Sequence, residues 1–318
     1  MRIFDCSNSG ERPPHRSMSF GPRQNDVRRS LSRYSIEFGV EYVNDPAIAD
    51  VIITNDVFPS DILKLDKKKV KRMDGIYWDD ASIERNIPLN RAASQADLVI
   101  FVSKYSQDSY RQLYGDLKTR NVVVLNQVDG CMFNKNAKSY KREDKFVWTA
   151  SASNWERKEK RFDALMSFAK IIDENSILQL IGHCNVDVPK NVVKLGYKND
   201  EMEVAEILID SHAFVNFSYR DAAPKVVCQA LNCGLPVLFA DSGGTGELVE
   251  NFGVGVKDEK NIVFQKGTIE LQFDEIKKSY DCFMKSYNKM AESVKKERHG
   301  DELFKGMIEQ YFNYCESI

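Results

Sequence analysis

The chain has 318 residues, a formal net charge of −2 and a hydrophobic content of 42%. This length suits one large or two ordinary domains, and the near-balanced charge argues against nucleic acid as a partner. No apolar run approaches the ~20 residues that a membrane helix needs. The 7 cysteines stand singly, without a CxxC spacing, which indicates reduced thiols in a cytoplasm-like compartment and predicts no metal site.

Short β-branched runs alternate with polar or helical stretches in the first part of the chain. A helix is predicted over 103–115, with Ser103 as its N-cap and Gly115 as its stop. Apolar strands separated by helices indicate a parallel sheet covered on both faces. The predicted strands are 2–5, 40–43, 50–54, 69–73, 98–102 and 121–125.

A second set of strands and helices follows a polar segment rich in turn residues, which we interpret as a crossing between domains. The predicted strands are 145–151, 177–181, 192–195, 213–217 and 236–240, and the predicted helices are 160–173, 200–210, 224–233 and roughly 273–318. This pattern predicts an α/β protein with two Rossmann-like domains. The predicted boundaries are 1–126, 127–144 for the crossover, 145–272, and 273–318 for the C-terminal helices.

The densest stretch is "SYRDAAPKVVCQALNCGLPVLFADSGGTGELVENFGV", residues 218–254. Pro224 suits a helix start, whose free amides and positive dipole end attract a phosphate. Gly234 supplies a left-handed stop, and the turn at 242–244 leads into another helix with Glu247 in its first turn. Two strand-to-helix crossings therefore meet at one sheet edge, with a carboxylate for hydroxyls and amides for anionic oxygens.

This stretch resembles the donor-binding signature of retaining glycosyltransferases of the GT-B fold, family four. That signature is an acid, seven residues, a second acid, small-Gly-x-Pro-Val, a Gly-Gly turn and Glu-Leu/Ile-Val. Asp221 takes the first acid position, and "CGLPVLFADSGGTGELV" supplies the later part. Gln229 replaces the second acid; its amide still bonds ribose hydroxyls but carries no charge, so we expect weaker or altered nucleotide binding.

The resemblance implies roles for further residues. Asp221 would orient the donor sugar, and a basic pair would neutralise the leaving diphosphate. Arg157 and Lys160 are the chosen pair, with Lys158 and Arg161 as rivals in the same loop. The fold implied is GT-B, with the two domains facing a cleft and the C-terminal helix returning to the first domain.

The resemblance also implies roles for two residues of the first domain. Asp74 would reach the sugar, and Gly10 would let the chain approach the diphosphate. Lys225 stands where a subgroup of the family often has Asn, and it brings a positive charge toward the phosphates. The implied donor-binding set is Gly10, Leu195, Gly196, Tyr197, Ala222, Ala223, Pro224, Lys225, Val226, Gln229, Gly244 and Glu247.

Several of these residues also have a simpler structural explanation. Asp221 suits a helix cap, the glycine pair an ordinary turn, and the basic residues a solvated helix start. Asp74 suits a turn with Gly75, and Tyr197 suits packing. The basic run 64–72 suits a solvated strand edge as well as weak contact with an anionic membrane.

The resemblance implies sugar transfer, with retention, from a nucleoside diphosphate donor of UDP or GDP type. The acceptor would be a hydroxyl group of a glycan, a glycolipid or a small glycoside, and neither a metal ion nor another cofactor would take part. Two alternatives stay open: a nucleotide-sugar epimerase on the same architecture, and a non-catalytic protein that binds nucleotide sugars. The expected location is the cytoplasm.

Overall fold

The computed structural model describes residues 1–6, 34, 37–78, 82–137, 144–258 and 270–318. The chain divides into two compact units. The first consists of Met1–Leu125 and Lys305–Ile318, and the second of Asn126–Phe304. The end of the chain therefore belongs to the first unit, and the segment interpreted as a crossover belongs to the second.

The first unit contains a parallel sheet. Within the described residues its order is β2-β1-β3-β4-β5-β6, and all of these pairings are parallel. The strands are β1 (Arg2–Asp5), β2 (Glu41–Tyr42), β3 (Val51–Thr54), β4 (Lys68–Met73), β5 (Leu98–Phe101) and β6 (Arg120–Val123). Among the described residues, the α-helices given a range before the second unit are α1 (Ser60–Leu63), α2 (Asn86–Ser94) and α3 (Lys104–Tyr114).

Helix α3 has the ends that its sequence predicts. The Ser103 side chain accepts a hydrogen bond from the Ser106 amide at 3.0 Å, which satisfies one of the unpaired donors of the first turn. Gly115 ends the helix with a φ of 78°, a left-handed conformation that favours glycine. Both local predictions are confirmed.

The second unit contains another parallel sheet, with the order β12-β11-β10-β7-β8-β9 among the described residues. Its strands are β7 (Phe146–Asn154), β8 (Ser176–His183), β9 (Val192–Gly196), β10 (Ala213–Asn216), β11 (Val237–Ala240) and β12 (Gly253–Val256). The helices that follow in the chain are α4 (Phe162–Ala169), α5 (Glu201–Ile209), α6 (Lys225–Asn232), α7 (Thr245–Val249), α8 (Phe273–Glu297) and α9 (Gly300–Glu316).

An aromatic cluster holds one face of this second sheet. Trp148 of β7 is fully buried, and its ring centroid lies 4.9 Å from Phe168 of α4 and 4.9 Å from Phe283 of α8. Edge-to-face and tilted contacts of this kind add to the ~1.5–3 kcal/mol that burial of each large apolar side chain contributes. Helices α4 and α8 are therefore fixed to the sheet, and the loops at its carboxyl edge rest on a rigid base.

Three sequence predictions need correction. The helix predicted over 160–173 is interrupted, because Arg161 has a φ of 50° between a 3-10 helix at Lys158–Lys160 and α4. Strand β12 was missed because its glycines have low strand propensity. A Cβ on Gly253 would lie 2.0 Å from the Val237 carbonyl oxygen, so close packing demands glycine there. Helix α2 was missed because it is short and carries a proline in its first turn.

No helix in the described part of the chain combines the length and apolar character needed to cross a bilayer.

A lysine is buried in the sheet of the first unit. Lys71 of β4 is 0% exposed, and its Nζ donates to the Arg72 carbonyl oxygen at 2.8 Å. Burial lowers the pKa of Lys71 from 10.5 to about 7, against a smaller opposing effect of Asp74. A buried ammonium therefore opposes folding near neutral pH.

Replacing Lys71 with methionine should remove the pH-dependent free-energy cost of burying this side chain in the folded state. An unfolded lysine stays protonated up to about pH 10.4. Between the folded and unfolded pKa values the unfolded state therefore binds more protons, and stability rises with pH. Above pH 7 the free energy of unfolding of the wild type should gain up to about 1.4 kcal/mol per pH unit relative to Lys71→Met.

Urea unfolding of both proteins at several pH values from 7 to about 10 measures this difference. Lys68→Met is the matched control, since Lys68 lies exposed on the same strand. Parallel pH profiles for the wild type and Lys71→Met would contradict the prediction.

Candidate active site

Two loops meet at the carboxyl edge of the sheet in the second unit. One follows β10 and the other follows β11, and the ends of parallel strands share one edge. The Arg220 amide donates to Ser242 Oγ at 3.2 Å, and the Gly244 amide donates to the Asp221 carbonyl oxygen at 2.9 Å. A Cβ on Gly243 would lie 2.4 Å from that same oxygen. The glycine pair therefore lets the second loop pack directly against the backbone of Asp221.

Lys160 reaches into this junction from the loop after β7. Its Nζ lies 3.3 Å from Asp221 Oδ2 and donates to Ser218 Oγ at 3.3 Å. The two charged side chains are 17% and 28% exposed, so the pair is partly buried but open to a ligand. The edge of the sheet thus presents a cation for anionic oxygens beside a carboxylate for hydroxyl groups.

Buried polar groups extend this pair. The Ser218 hydroxyl donates to Asn216 Oδ1 at 2.8 Å, at the end of β10. Asn216 is 6% exposed, and within the described residues its Nδ2 has no hydrogen-bond partner. Buried amide donors are nearly always satisfied, so this group is suited to a polar ligand or to water.

The remaining basic residues of the loop have other environments. Arg161 forms a bidentate pair with Asp258 at 2.5 and 3.1 Å, and both side chains are at most 3% exposed. Its guanidinium also lies 4.4 Å from the centroid of the Tyr219 ring. Arg157 is 49% exposed and donates to Glu159 at 2.7 Å, and Lys158 is exposed. Of the four basic candidates, Lys160 is the one that meets Asp221.

Arg220, next to Asp221, lies on the same aromatic ring. Its φ is 52°, in the left-handed region, and its guanidinium lies 4.8 Å from the Tyr219 centroid. Positive φ values at a non-glycine residue cost energy and cluster at functional sites, which makes the loop a strong candidate.

Helix α6 begins directly after the loop that carries Asp221. Pro224 occupies the N-cap position, one residue before the helix, with φ −67° and ψ 112°. Asn126 anchors this turn, since its Nδ2 donates to the Ala223 carbonyl at 3.2 Å and its own carbonyl accepts from Cys228 Sγ at 3.3 Å. The positive end of the helix dipole lies beside the stretch from Ala222 to Val226, where an anion is stabilised.

Gln229 lies in the second turn of α6 and is 9% exposed. No hydrogen bond to its side chain occurs among the described residues, so its amide stays available to a ligand hydroxyl. Lys225 is the first residue of the same helix and is half-buried. In the neighbouring loop Gly244 is the N-cap of α7, and Glu247 is a half-buried residue of its first turn.

Two aromatic side chains lie at the carboxyl ends of β8 and β9. Tyr197 follows Leu195 and Gly196 of β9, is 39% exposed, and stacks on His183 of β8. Their ring centroids are 4.8 Å apart and the ring planes are nearly parallel, with an angle of 1° between them. Gly196 has a φ of 73°, which sets the turn out of the strand. The pair offers a flat surface at the same edge as Lys160.

Asp74 belongs to the first unit, where it follows β4. Its Oδ1 lies 2.6 Å from Arg72 Nη1, and Arg72 Nε donates to the Tyr311 hydroxyl of α9 at 3.1 Å. The carboxylate is 41% exposed and is therefore accessible. Gly10 lies outside the described residues.

One group of possible metal ligands occurs in the described part of the chain: Asp129, Cys131 and Asp301. Cys131 Sγ donates to Asp301 Oδ2 at 3.5 Å, and both residues are exposed. One exposed thiol and two carboxylates are a weak ligand set, and the group shares no residue with the site around Lys160.

Asn216 and Ser218 of this site were missed in the sequence, although polar residues at the end of a buried strand are a usable signal. In the first unit, the contact between Tyr311 and Arg72 left no signal in the sequence, because it joins residues 239 positions apart.

Residues 157–297 match the family model described as "Glycosyl transferases group 1". No curated protein gives a significant match to the sequence. Sucrose-phosphate synthase from Thermosynechococcus elongatus is similar in structure, with a TM-score of 0.65 at 14% identity, covering 98% of this chain and 82% of that chain.

Two further solved structures are similar over nearly their whole length. HepE from Anabaena, in complex with UDP-glucose, has a TM-score of 0.62 at 16% identity and 100% coverage of both chains. WaaG, a glycosyltransferase involved in lipopolysaccharide biosynthesis, has a TM-score of 0.59 at 12% identity, covering 98% of this chain and 99% of that chain. At these identities the likeness shows the fold, which is the two-domain Rossmann-like GT-B architecture.

Proposed function

We propose that this chain, a glycosyltransferase with the GT-B fold, moves a sugar from a nucleoside diphosphate donor to a hydroxyl acceptor, with retention of configuration. The observation that carries the proposal is the Lys160–Asp221 pair beside the N-terminus of α6, with 3.3 Å between Nζ and Oδ2. HepE, which is similar in fold, was solved with UDP-glucose and with UDP, which favours a UDP-sugar as donor.

In this proposal, each group of the site has a role in one step of the transfer. As the bond between the sugar C1 and the diphosphate oxygen breaks, negative charge builds on the diphosphate. Lys160 and the amide end of α6 stabilise that charge, and such preorganised stabilisation is usually the largest contribution to catalysis. Asp221 accepts hydrogen bonds from donor sugar hydroxyls and orients the ring.

The acceptor hydroxyl attacks C1 from the face that the diphosphate leaves. Its proton passes to a departing phosphate oxygen, so no side-chain nucleophile is required. Lys160 and the helix end supply the positive charge, and no metal ion enters this scheme. Arg157 is exposed on the same loop and pairs with Glu159, and it has no role in this scheme.

The nucleoside half of the donor has two further partners in this proposal. Gln229, buried and available on α6, bonds ribose hydroxyls through its amide, and Tyr197 offers its ring near the base. The amide of Gln229 has one uncharged acceptor oxygen and one NH2 donor group. A carboxylate at the same position would have two negatively charged acceptor oxygens. We therefore expect nucleotide binding to be modest.

A second candidate is a non-catalytic nucleotide-sugar-binding protein, which the uncharged Gln229 favours. Slow hydrolysis of the donor without an acceptor separates the two, since only an enzyme cleaves the sugar–phosphate bond. An epimerase would instead release a sugar with altered stereochemistry.

A thermal-shift panel of UDP-, GDP-, ADP- and CMP-sugars tests the proposal first. A ligand that binds only the native state stabilises it by about 2.7 kcal/mol at a hundredfold excess over Kd. One nucleotide sugar should raise the Tm of the wild type, and Asp221→Ala should abolish the shift.

Asp50→Ala is the control, because Asp50 pairs with Arg2 on the surface of the first unit. The control should keep the shift. Absence of a shift with every sugar at millimolar concentration would contradict donor binding.

A further inference from the structure

A buried tyrosine joins the two loops that carry Lys160 and Asp221. Tyr219 lies two residues before Asp221 and is 1% exposed. Its amide donates to the Glu159 carbonyl oxygen at 2.7 Å, and Glu159 directly precedes Lys160 in the loop after β7. The loop after β10 is therefore bonded to the loop after β7 at positions close to the two charged residues of the site.

The ring of Tyr219 contacts two arginine side chains. The guanidinium of Arg161 lies 4.4 Å from the ring centroid, and that of Arg220 lies 4.8 Å from it. Both arginines are nearly excluded from water, at 5% and 4% exposure. The face of an aromatic ring carries partial negative charge, and its attraction for a cation is strongest where both groups are desolvated. The ring thus holds one guanidinium from each loop.

These two arginines also have an unusual backbone conformation. Among the described residues, three that are not glycine have a positive φ, and two of them are Arg161 at 50° and Arg220 at 52°. A left-handed backbone at such residues is strained and persists only where the surroundings over-determine it. Arg161 directly follows Lys160, and Arg220 directly precedes Asp221. Each strained residue therefore sets the direction of the chain next to one member of the pair.

An aliphatic side chain of similar size would fill the same space without this attraction. Two guanidiniums at one ring repel each other, and Asp258 neutralises Arg161 through two hydrogen bonds of 2.5 and 3.1 Å. The aromatic face of Tyr219 attracts both cations, whereas an aliphatic side chain attracts neither. The requirement at Tyr219 is therefore electrostatic as well as steric, which separates this residue from the aromatic residues of the core.

We propose that Tyr219 is a positioning residue of the candidate donor site. Through the two arginines and the Glu159 carbonyl, it holds Lys160 Nζ and Asp221 Oδ2 at their separation of 3.3 Å. At 1% exposure its ring is out of reach of a ligand, so Tyr219 acts through the pair and not on the donor. The consequence for catalysis rests on the proposed function, whereas the positioning of the pair does not.

Hydrogen–deuterium exchange on the full chain, without ligand, tests the positioning first. In Tyr219→Leu the amides of 157–161 and 218–222 should exchange about tenfold faster than in the wild type, since the loops lose a contact that suppresses their local opening. Tyr219→Phe should exchange at the wild-type rate, because the aromatic face remains. Wild-type exchange in both loops of Tyr219→Leu would overturn the proposal. Equally fast exchange in Tyr219→Phe would overturn it too, since the ring face would then not be the group that holds the loops.

Phe283→Leu is the matched control. Phe283 is also fully buried in the second unit, but it packs on Trp148 in the core of the sheet. The control loses an aromatic ring of similar size and should leave exchange in the two loops unchanged. Faster exchange in the same loops of this control would show a general loss of stability and would overturn the specific role of Tyr219.

Initial rates of sugar transfer then test the link with catalysis. Tyr219→Leu should lower kcat by about 10- to 100-fold, as expected when charged groups are displaced by up to about 1 Å. KM for the donor should change less, because the charge on the diphosphate is greatest in the transition state. In the Lys160→Ala background the same change should cost a clearly smaller factor, because residues that act through one another are not additive. Full additivity of the two losses would overturn the proposal.

The two measurements separate the two proposals. Faster exchange in Tyr219→Leu, without donor binding or transfer by the wild type, would contradict the proposed function and leave the positioning role standing. Transfer by the wild type, with unchanged exchange in Tyr219→Leu, would contradict the positioning role and leave the proposed function standing.

Discussion

Replacing Lys160 with alanine should lower kcat/KM for sugar transfer by about 10²–10³-fold, the usual loss when one preorganised donor is removed from a site of developing charge. Its ammonium is positioned by Asp221 and Ser218, each 3.3 Å from Nζ, and is only 17% exposed. Little reorganisation is therefore needed as the diphosphate departs. The loss should appear mainly in kcat, because the charge is greatest in the transition state.

Initial rates with the donor found by thermal shift measure this effect. Lys158→Ala is the matched control: Lys158 lies two residues earlier in the same 3-10 helix but is exposed. The control should stay within about threefold of the wild type, as is usual for an exposed position. A Lys160→Ala enzyme that is as active as the Lys158→Ala control would remove Lys160 from the mechanism.

Replacing Asp258 with alanine should lower the free energy of unfolding by about 3–5 kcal/mol. Asp258 and Arg161 are 2% and 3% exposed and meet through two hydrogen bonds, so the change leaves a buried guanidinium with its main carboxylate partner removed. A lost partner in a buried pair costs far more than the net contribution of the pair, because the remaining charge has no access to water. The stability of the loop that carries Lys160 therefore depends on a contact between Arg161 and Asp258, which are 97 positions apart.

Urea unfolding at pH 7 gives the measurement, and Asp50→Ala gives the comparison. Asp50 also binds an arginine through its carboxylate, but the Arg2–Asp50 side chains are 46% and 44% exposed. An exposed pair of this kind contributes only about 0–1 kcal/mol. Similar losses in the free energy of unfolding for the two variants would contradict the prediction. They would show that burial does not increase the cost of breaking the Arg161–Asp258 pair.

Much of the architecture could be predicted because its elements depend on short-range patterns in the sequence. β-branched runs of four to six residues mark the strands, since each such run fills a buried position in a parallel sheet. Ser103 and Gly115 mark the ends of α3 because capping is a contact between near neighbours. The signature around Asp221 was visible for the same reason, as its acid, proline and glycine pair follow one another along a single segment.

Other elements depend on partners that are distant in sequence. Gly253 permits β12 only because Val237 approaches it from the adjacent strand, and the propensity of the segment itself argues against a strand. The predicted helix is interrupted at Arg161, and the side chain of this residue makes a buried contact with the distant Asp258. A local pattern carries no information on either partner.

By itself, the sequence determined the fold class, eleven of the twelve strands in the described residues and the segment that carries the candidate donor site. The tertiary structure alone decided which of four neighbouring basic side chains meets Asp221, and that Asp258 holds the rival Arg161 in a buried pair. The reason is physical. Alternation and capping depend on residues a few positions apart, whereas the charge, burial and orientation of a side chain depend on whatever the fold packs beside it.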